Sequence, residues 1–352
     1  MDLLVLAIAF VVILAGAELF TNGIEWFGRK LELAEGAVGS VLAAVGTALP
    51  ETMIPIIAIL FGDSEATDDV GVGAILGAPF MLSTLAMFVT GVGVIAFRKR
   101  RAAGVRMVVD TGVLVHDIRY FVVAYGLAIS AAFLPEPLAF LKIGVAAVLL
   151  GIYAWYVKGH FAGEAGEHES ELPPLRFRRA DRRAYRREPG VPRLRIVSVQ
   201  VLAALTCIIG GAYLFVGAVD RLAATLGVSE ILLALVIAPI ATELPEKFNS
   251  LIWVRQGKDT LAMGNITGAM VFQSAIPTVV ALLLAAEAWR ITEDSVLAFA
   301  SAAMAFIAVA AIFIPMWRTA RLSGRSLLVG GALYLVYLAL VVLSIAGILP
   351  FA

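Results

Sequence analysis

Two matching stretches decide how this chain folds: Gly46-Thr47-Ala48-Leu49-Pro50-Glu51 and Ala241-Thr242-Glu243-Leu244-Pro245-Glu246. Each places a proline and a glutamate inside an apolar run that is long enough to cross a membrane. A carboxylate in the middle of a membrane is costly, at roughly 2.5 to 3.5 kcal/mol on insertion scales. Because this cost recurs at matched positions, the two stretches predict one functional site built from both.

The composition is that of an integral membrane protein. Of the 352 residues, 61% are hydrophobic and only 15% are charged, and the mean hydropathy is +0.94. Repeated apolar runs of about 18 or more residues predict bundled helices, because the strands of a β-barrel would be shorter and would alternate in polarity. The predicted fold class is all-α, with about ten transmembrane spans. They are placed at residues 2–24, 36–61, 70–97, 118–135, 138–159, 196–220, 229–254, 260–286, 293–316 and 327–350.

Basic residues concentrate in every second link between the predicted spans. They follow spans 1, 3, 5, 7 and 9, and the largest group runs from Arg176 to Arg195. The alternate links carry acidic residues such as Asp63 and Glu136. Since cytoplasmic loops of membrane proteins are enriched in lysine and arginine, we expect a multi-pass protein of the cell (inner) membrane. Its N-terminus would lie outside and its central loop in the cytoplasm.

The chain is also a tandem duplication. Gly16–Phe20 resembles Gly211–Phe215, and the same 195 residues separate these two segments as separate Glu51 from Glu246. Each copy holds five predicted spans, and an odd number makes the second copy enter the membrane from the opposite side. Inverted repeats of this kind are typical of secondary transporters. The predicted units are a first repeat at 1–160, a linker at 161–195 and a second repeat at 196–352.

The linker passes from an acidic first part to a strongly basic second part. A segment with this composition does not build a hydrophobic core of its own. We therefore expect a solvated cytoplasmic loop that fixes the topology. Binding of anionic lipid, or a regulatory role, is the alternative.

The two prolines predict where ions bind. A proline inside a helix removes a backbone hydrogen bond, so Pro50 and Pro245 should break or kink spans 2 and 7. The carbonyl groups freed in the preceding turns then need partners, and in a membrane these must be protein, water or an ion. A cation meets this need, with Glu51 and Glu246 supplying negative charge. Hydroxyl oxygens would come from the threonine three residues before each proline, Thr47 and Thr242.

This donor set consists of hard oxygens, which Ca²⁺ prefers. No histidine or cysteine lies near either stretch, so transport of soft transition metals is disfavoured. Glu243 has only Ala48 as its counterpart, and it is interpreted as a third ion ligand, a proton carrier or a structural partner. Span 8 carries more polar groups than span 3, which indicates that the second half supplies more of the ligands. The polar groups of span 8 are Asn265, Thr267, Gln273 and Ser274, whereas those of span 3 are Ser83 and Thr84.

These residues resemble the cation/calcium exchanger superfamily. Its members carry two inverted repeats, each with a Gly-Thr-Ser-Leu-Pro-Glu-like motif and a later Gly-Asn-x-x-Gly-Ser-Asn-like motif. Residues 46–51 match the first motif except at position 48, and residues 241–246 match it except at positions 241 and 243. The later motif is clear at 264–269 and degraded at 73–79. The resemblance covers essentially the whole chain.

The resemblance implies antiport of Ca²⁺ against Na⁺ or H⁺, by movement of spans 1 and 6 against the remaining bundle. It also implies that Glu51 and Glu246 are the central Ca²⁺ ligands. The chain departs from the family at several serine positions, which here are Ala48, Glu243, Ala78 and Ala269, and at the acid or amide of the later motifs, which falls on Leu82 and Gln273. These departures put the Na⁺ sites in question.

Three functions remain open from the residues. The first is a Ca²⁺/Na⁺ antiporter with sodium sites rearranged around Glu243 and Gln273. The second is a Ca²⁺/H⁺ or other cation/H⁺ antiporter, in which metal binding displaces protons from the glutamates. The third is a channel or membrane scaffold, against which the absence of a continuous polar helix stripe argues. We expect no enzyme, no cofactor and no nucleic acid partner, since no pairing of nucleophile and base is present; the substrates are cations and the surroundings are the lipid bilayer.

Overall fold

The computed structural model describes residues 2–48, 52, 65–162, 172–180, 192–226, 243–292, 295–346 and 348. Ten main helices lie within these residues, and two short strands pair with each other. The helices are α1 Asp2–Lys30, α2 Ala37–Thr47, α3 from Glu65 to Ala96, α4 Thr111–Ser130, α5 Leu141–Phe161, α6 Leu194–Leu226, α7 Leu244–Gln256, α8 Asp259–Leu284, α9 Val296–Thr319 and α10 Gly324–Ile345. The strands are β1 Arg106–Met107 and β2 Leu322–Ser323.

Eight of these helices are long and apolar enough to cross a membrane. The predicted all-α membrane fold is thus confirmed. The other two are α2 and α7, which belong to the two spans that carry the Pro-Glu stretches. In the described part of the chain, α2 ends at Thr47 and α7 begins at Leu244. Pro245 lies in the first turn of α7. The first N–H groups of a helix have no acceptor within it, so the missing N–H of a proline costs no helical hydrogen bond there.

A helix can begin or end at a different residue from its predicted span when a capping side chain, rather than the end of the apolar run, fixes its terminus. The fourth span was predicted to begin at residue 118, whereas α4 begins at Thr111. The Asp110 carboxylate accepts hydrogen bonds from the backbone N–H groups of Gly112 (2.8 Å) and Val113 (3.2 Å). Such a cap satisfies the first free N–H groups of a helix and fixes its start.

Helices α1 and α6 pack against each other through glycines related by the duplication. A Cβ atom added to Gly16 would lie 3.0 Å from Cγ1 of Ile208, and one added to Gly211 would lie 2.8 Å from Cγ1 of Ile13. The same offset of 195 residues relates the two glycines and the two isoleucines. Each helix therefore presents an equivalent glycine and isoleucine to the other, as expected if a pseudo-twofold axis relates the two repeats.

Helix α8 forms the centre of the molecule. It is the most deeply buried of the eight membrane-length helices and contacts α2, α3, α4, α5 and α7. The first part of α2, Ala37–Ala43, is a π-helix, and it packs directly on the α8 backbone. A Cβ atom added to Gly268 would lie only 2.0 Å from the carbonyl oxygen of Ser40. Glycine is thus required at this crossing, as small residues are at close helix contacts in membranes.

The basic links meet at one end of the bundle. Strands β1 and β2 pair antiparallel there. The two terminal guanidinium nitrogens of Arg101 donate to the carboxylate of Asp259, at 2.7 and 2.6 Å. Lys258 forms an ion pair with Glu25 near the end of α1. A further contact of a basic residue lies at the turn that follows α8. There Nζ of Lys142 donates a hydrogen bond to the Trp289 carbonyl at 3.0 Å.

The linker was expected to be a solvated loop. In its described part Pro173, Pro174, Arg176 and Arg178 are exposed, whereas three apolar side chains pack against the helices. Residues 172–180 pack on α1 and α6, and Leu175 is only 2% exposed. Trp26 Nε1 donates to the Pro173 carbonyl (2.9 Å), and the backbone N–H of Phe177 donates to Gln200 Oε1 (2.8 Å). Buried polar groups on the two helices need hydrogen-bond partners, and the backbone of this segment supplies them.

Candidate ion-binding site

The described part of the site forms where α2, α7 and α8 meet. Thr47, the last residue of α2, is fully buried, and its hydroxyl lies 3.2 Å from Oδ1 of Asn265 on α8. The Asn265 amide in turn donates to the backbone carbonyl of Glu246 on α7, at 3.3 Å. Residues from both halves of the chain thereby share one hydrogen-bonded cluster, as the matched stretches predict.

Glu246 lies in the first turn of α7 and its side chain is 0% exposed. Among the described residues, neither of its carboxylate oxygens accepts a well-aligned hydrogen bond, although the Thr47 hydroxyl faces it. The positive end of a helix dipole favours a carboxylate in this position. A buried charge still needs a close counter-charge, and a bound cation would supply it.

Glu243, at the N-cap position of α7, has a partner that the sequence interpretation did not consider. Its Oε2 lies 2.9 Å from Nζ of Lys247, and both side chains are buried. Glutamate and lysine four residues apart face each other on a helix, so the spacing alone could have indicated this pair. Of the interpretations left open for Glu243, a structural partner therefore has a direct contact in its favour.

Gln273 lies beside the end of α2. Its Nε2 donates to the Ala48 carbonyl (3.3 Å), and its Oε1 lies 3.4 Å from the Thr52 hydroxyl. The same Ala48 carbonyl accepts a 2.7 Å hydrogen bond from Thr52. The backbone N–H of Thr52 also donates to this carbonyl (3.2 Å), so the Ala48 carbonyl is satisfied by protein groups. The freeing of carbonyls in the turn before Pro50 stays a prediction.

Further buried polar side chains lie on α7 and α10. Asn249 on α7 and the Tyr334 hydroxyl on α10 make no hydrogen bond within the described residues, and Tyr334 is close enough to Glu243 to interact with it electrostatically. By contrast, the hydroxyls of Ser83 and Thr84 on α3 donate to the Phe80 carbonyl of their own helix. In the described part of the chain, the second half supplies most of the free donors and acceptors.

The described donors are carboxylate, hydroxyl and amide oxygens, which suit Na⁺ and Ca²⁺ better than soft metals. Among the described residues, no three His, Cys, Asp or Glu side chains group as metal ligands. Glu51 and Thr242 lie outside the described residues. Their assignment as ligands therefore stays a prediction.

A second buried network, centred on Asp117 of α4, was not predicted. Its carboxylate accepts hydrogen bonds from Ser40 (2.7 Å), Thr267 (2.5 Å) and Tyr156 (3.0 Å), and His160 Nε2 lies 2.8 Å away. Thr267, which the sequence suggested as a ligand, is thus directed to Asp117 instead. The network joins α2, α4, α5 and α8 and holds the π-helical turn in place.

Fold and site together define a multi-pass helical membrane transporter with buried oxygen donors where two homologous halves meet. The family model described as "Sodium/calcium exchanger protein" matches residues 1–159 and 196–346. The chain belongs to the sodium/calcium exchanger protein family. The resemblance to the cation/calcium exchanger superfamily is confirmed, and the protein is a cation antiporter of the Ca²⁺ exchanger class.

Individual relatives agree with this assignment. The chain is 26% identical over 272 residues to "Putative antiporter CaxA" of Alkalimonas amylolytica, covering 75% of each protein. Structures of the sodium-calcium exchanger NCX_Mj share the fold. With the form soaked in 2.5 mM Na⁺ and 1 mM Sr²⁺ the TM-score is 0.71 at 17% identity, over 96% of this chain and 97% of that one. With the form in zero Na⁺ and Ca²⁺ the TM-score is 0.67 at 17% identity, over 96% and 98%.

Proposed function

We propose that this protein exports Ca²⁺ in exchange for Na⁺ at a site near the membrane midplane. The ligands would be Glu51, Glu246, Thr47, Thr242, Glu243 and Gln273. The observation that carries the proposal is the buried Glu246 carboxylate. It has no aligned hydrogen bond among the described residues and lies beside Thr47 and Asn265. A buried carboxylate in this state is suited to a cation that binds and leaves.

Alternating access would come from α1 and α6 moving as a pair against the other helices. Their close glycine contacts support movement as one unit, because Ile208 packs directly against Gly16 and Ile13 against Gly211. The repeats at 1–160 and 196–352 would have opposite orientation, with the linker at 161–195 and the basic end in the cytoplasm. The membrane would be the cell (inner) membrane, with the N-terminus outside.

Exchange against H⁺ is the second candidate. The observation in its favour is that the site holds a buried glutamate and a buried lysine in contact, Glu243 and Lys247. Both groups change charge on gaining or losing a proton, so such a pair can carry protons. The sequence departures at the family serine positions also weaken the case for conventional Na⁺ sites.

The test is uptake of ⁴⁵Ca²⁺ into proteoliposomes under an imposed Na⁺ gradient, under a pH gradient and under neither. We expect the Na⁺ gradient to drive uptake. Uptake driven only by the pH gradient would favour the second candidate, and uptake that needs no gradient of either ion would indicate a channel. Glu246→Gln should abolish exchange. Glu136→Gln is the matched control, because Glu136 is an exposed carboxylate paired with Arg290 outside the site.

A further inference from the structure

We propose that Lys247 is a resident cation of the ion-binding site. Its ammonium group takes a monovalent-cation position at Glu243 that would otherwise bind Na⁺. This inference rests on the proposed function, since it concerns the same site. It assigns to Lys247 a role in setting how many monovalent ions the site holds.

The position of Lys247 is the first argument. It directly follows Glu246 in the first turns of α7, and it is only 5% exposed. Its Nζ lies 2.9 Å from Glu243 Oε2 and makes no other contact of hydrogen-bond quality with the described residues. An ammonium group carries three N–H donors. Here its near partner is the Glu243 carboxylate, which a cation bound at this place would also contact.

The surroundings differ from those of a closed structural ion pair. A buried ion pair is stabilising only when further hydrogen bonds satisfy the remaining groups. Here Glu243 Oε1 has no aligned hydrogen bond within the described residues, and neither do the Asn249 amide and the Tyr334 hydroxyl. One oxygen of the Glu243 carboxylate and the Tyr334 hydroxyl, which interacts electrostatically with Glu243, therefore remain available to an ion.

Charge balance supplies the third argument. The charges of Glu243 and Lys247 cancel, so the pair adds none to the site. The proposed ligands Glu51 and Glu246 then carry two negative charges, which match one Ca²⁺. Without the ammonium group, Glu243 would add a third negative charge in a buried place, and a buried charge demands a counter-ion. An additional monovalent cation, in competition with a proton, would then balance it.

The experiment counts ²²Na⁺ bound to the purified full-length protein at saturating Na⁺ without Ca²⁺, from pH 7 to pH 9. We expect Lys247→Met to bind one more Na⁺ per polypeptide than the unaltered protein. Raising the pH to 9 lowers the proton concentration a hundredfold and so favours Na⁺ over a proton at the site. The double variant Glu243→Gln, Lys247→Met should return the count to that of the unaltered protein. Lys247→Arg, which keeps the positive charge, should leave the count unchanged.

Lys258→Met is the matched control, because Lys258 is also paired with a glutamate, Glu25, but at the basic end of the bundle. It should bind no additional Na⁺. Lys247→Gln serves as a second neutral variant if Lys247→Met does not fold. An unchanged count in the neutral variants up to pH 9 would overturn the proposal. The count is independent of transport, so failure of Ca²⁺/Na⁺ exchange by the unaltered protein would contradict the proposed function alone.

Discussion

The hydroxyl of Thr47 lies 3.2 Å from Oδ1 of Asn265, across 218 residues of sequence. The first residue ends α2, and the second is on the central helix α8 of the other half. The last residue of α2 therefore contacts a side chain of the other half as well as the Ala43 carbonyl of its own helix, at 3.0 Å.

This contact predicts the effect of Thr47→Val. The substitution keeps the shape of the side chain and removes the hydroxyl oxygen, so we expect the KM for Ca²⁺ to rise about tenfold, which corresponds to about 1.4 kcal/mol. The measurement is the Ca²⁺ dependence of exchange in proteoliposomes. Thr90→Val is the control, because the Thr90 hydroxyl only donates to the Ala86 carbonyl of its own helix. An unchanged KM would remove Thr47 from the site.

The contact of Gly268 with Ser40 predicts opposite results for two related glycines. Gly268→Ala would place a methyl group 2.0 Å from a backbone carbonyl, so we expect destabilisation by about 1 to 3 kcal/mol or more, with loss of exchange. A Cβ atom added to Gly77, its counterpart in the first repeat, would meet none of the described residues within 4 Å. Gly77→Ala should be neutral or should stabilise by up to about 1 kcal/mol, because alanine favours a helix.

Thermal unfolding of the two purified alanine variants in detergent checks this pair. Equal unfolding temperatures would show that the α2–α8 crossing is looser than the structure indicates.

Asp117 predicts a loss of stability. Replacing it with alanine leaves the hydroxyls of Ser40, Thr267 and Tyr156 without their common acceptor. Breaking a buried network of this kind costs about 3 to 5 kcal/mol, so Asp117→Ala should unfold at a clearly lower temperature. Asp110→Asn should have little effect, since asparagine is also a good N-cap residue. A normal unfolding temperature for Asp117→Ala would mean that the network is not structural.

The single cysteine of the chain offers a test of how α1 and α6 move. A Cβ atom at Gly16 would lie 3.2 Å from Cβ of Cys207, close to the Cβ–Cβ distance of about 3.5 to 4.5 Å in a disulfide. Gly16→Cys should therefore form a disulfide with Cys207 under mild oxidation. If the two helices move as one unit, exchange should persist after crosslinking. Loss of exchange that is restored by reduction would show that they slide past each other.

Cys207→Ser in the Gly16→Cys background is the control for this crosslink. It should show neither the disulfide nor any sensitivity to oxidant.

Much of the architecture could be predicted because it depends on local patterns. Apolar runs indicate membrane helices, and the constant offset between Glu51 and Glu246 indicates duplication. Helix ends were less predictable, since the Asp110 cap moved the start of α4 by several residues. Hydropathy averages do not register a single capping side chain.

The site could be predicted only in part. Thr47 and Glu246 stand out because proline and glutamate interrupt apolar runs. Asp117 does not, because its partners come from distant segments and only the folded chain brings them together. Lys247 was missed for a different reason: basic residues were considered as markers of topology, and this one is buried beside the glutamates.

The described part of the linker has a consequence for the history of the molecule. The hydrogen bonds of residues 172–180 reach α1 through Trp26 and α6 through Gln200. If two separately encoded five-helix proteins preceded this chain, joining them made residues 172–180 a covalent tie between the two copies. The tie does more than connect them, because its hydrogen bonds hold α1 of one copy and α6 of the other.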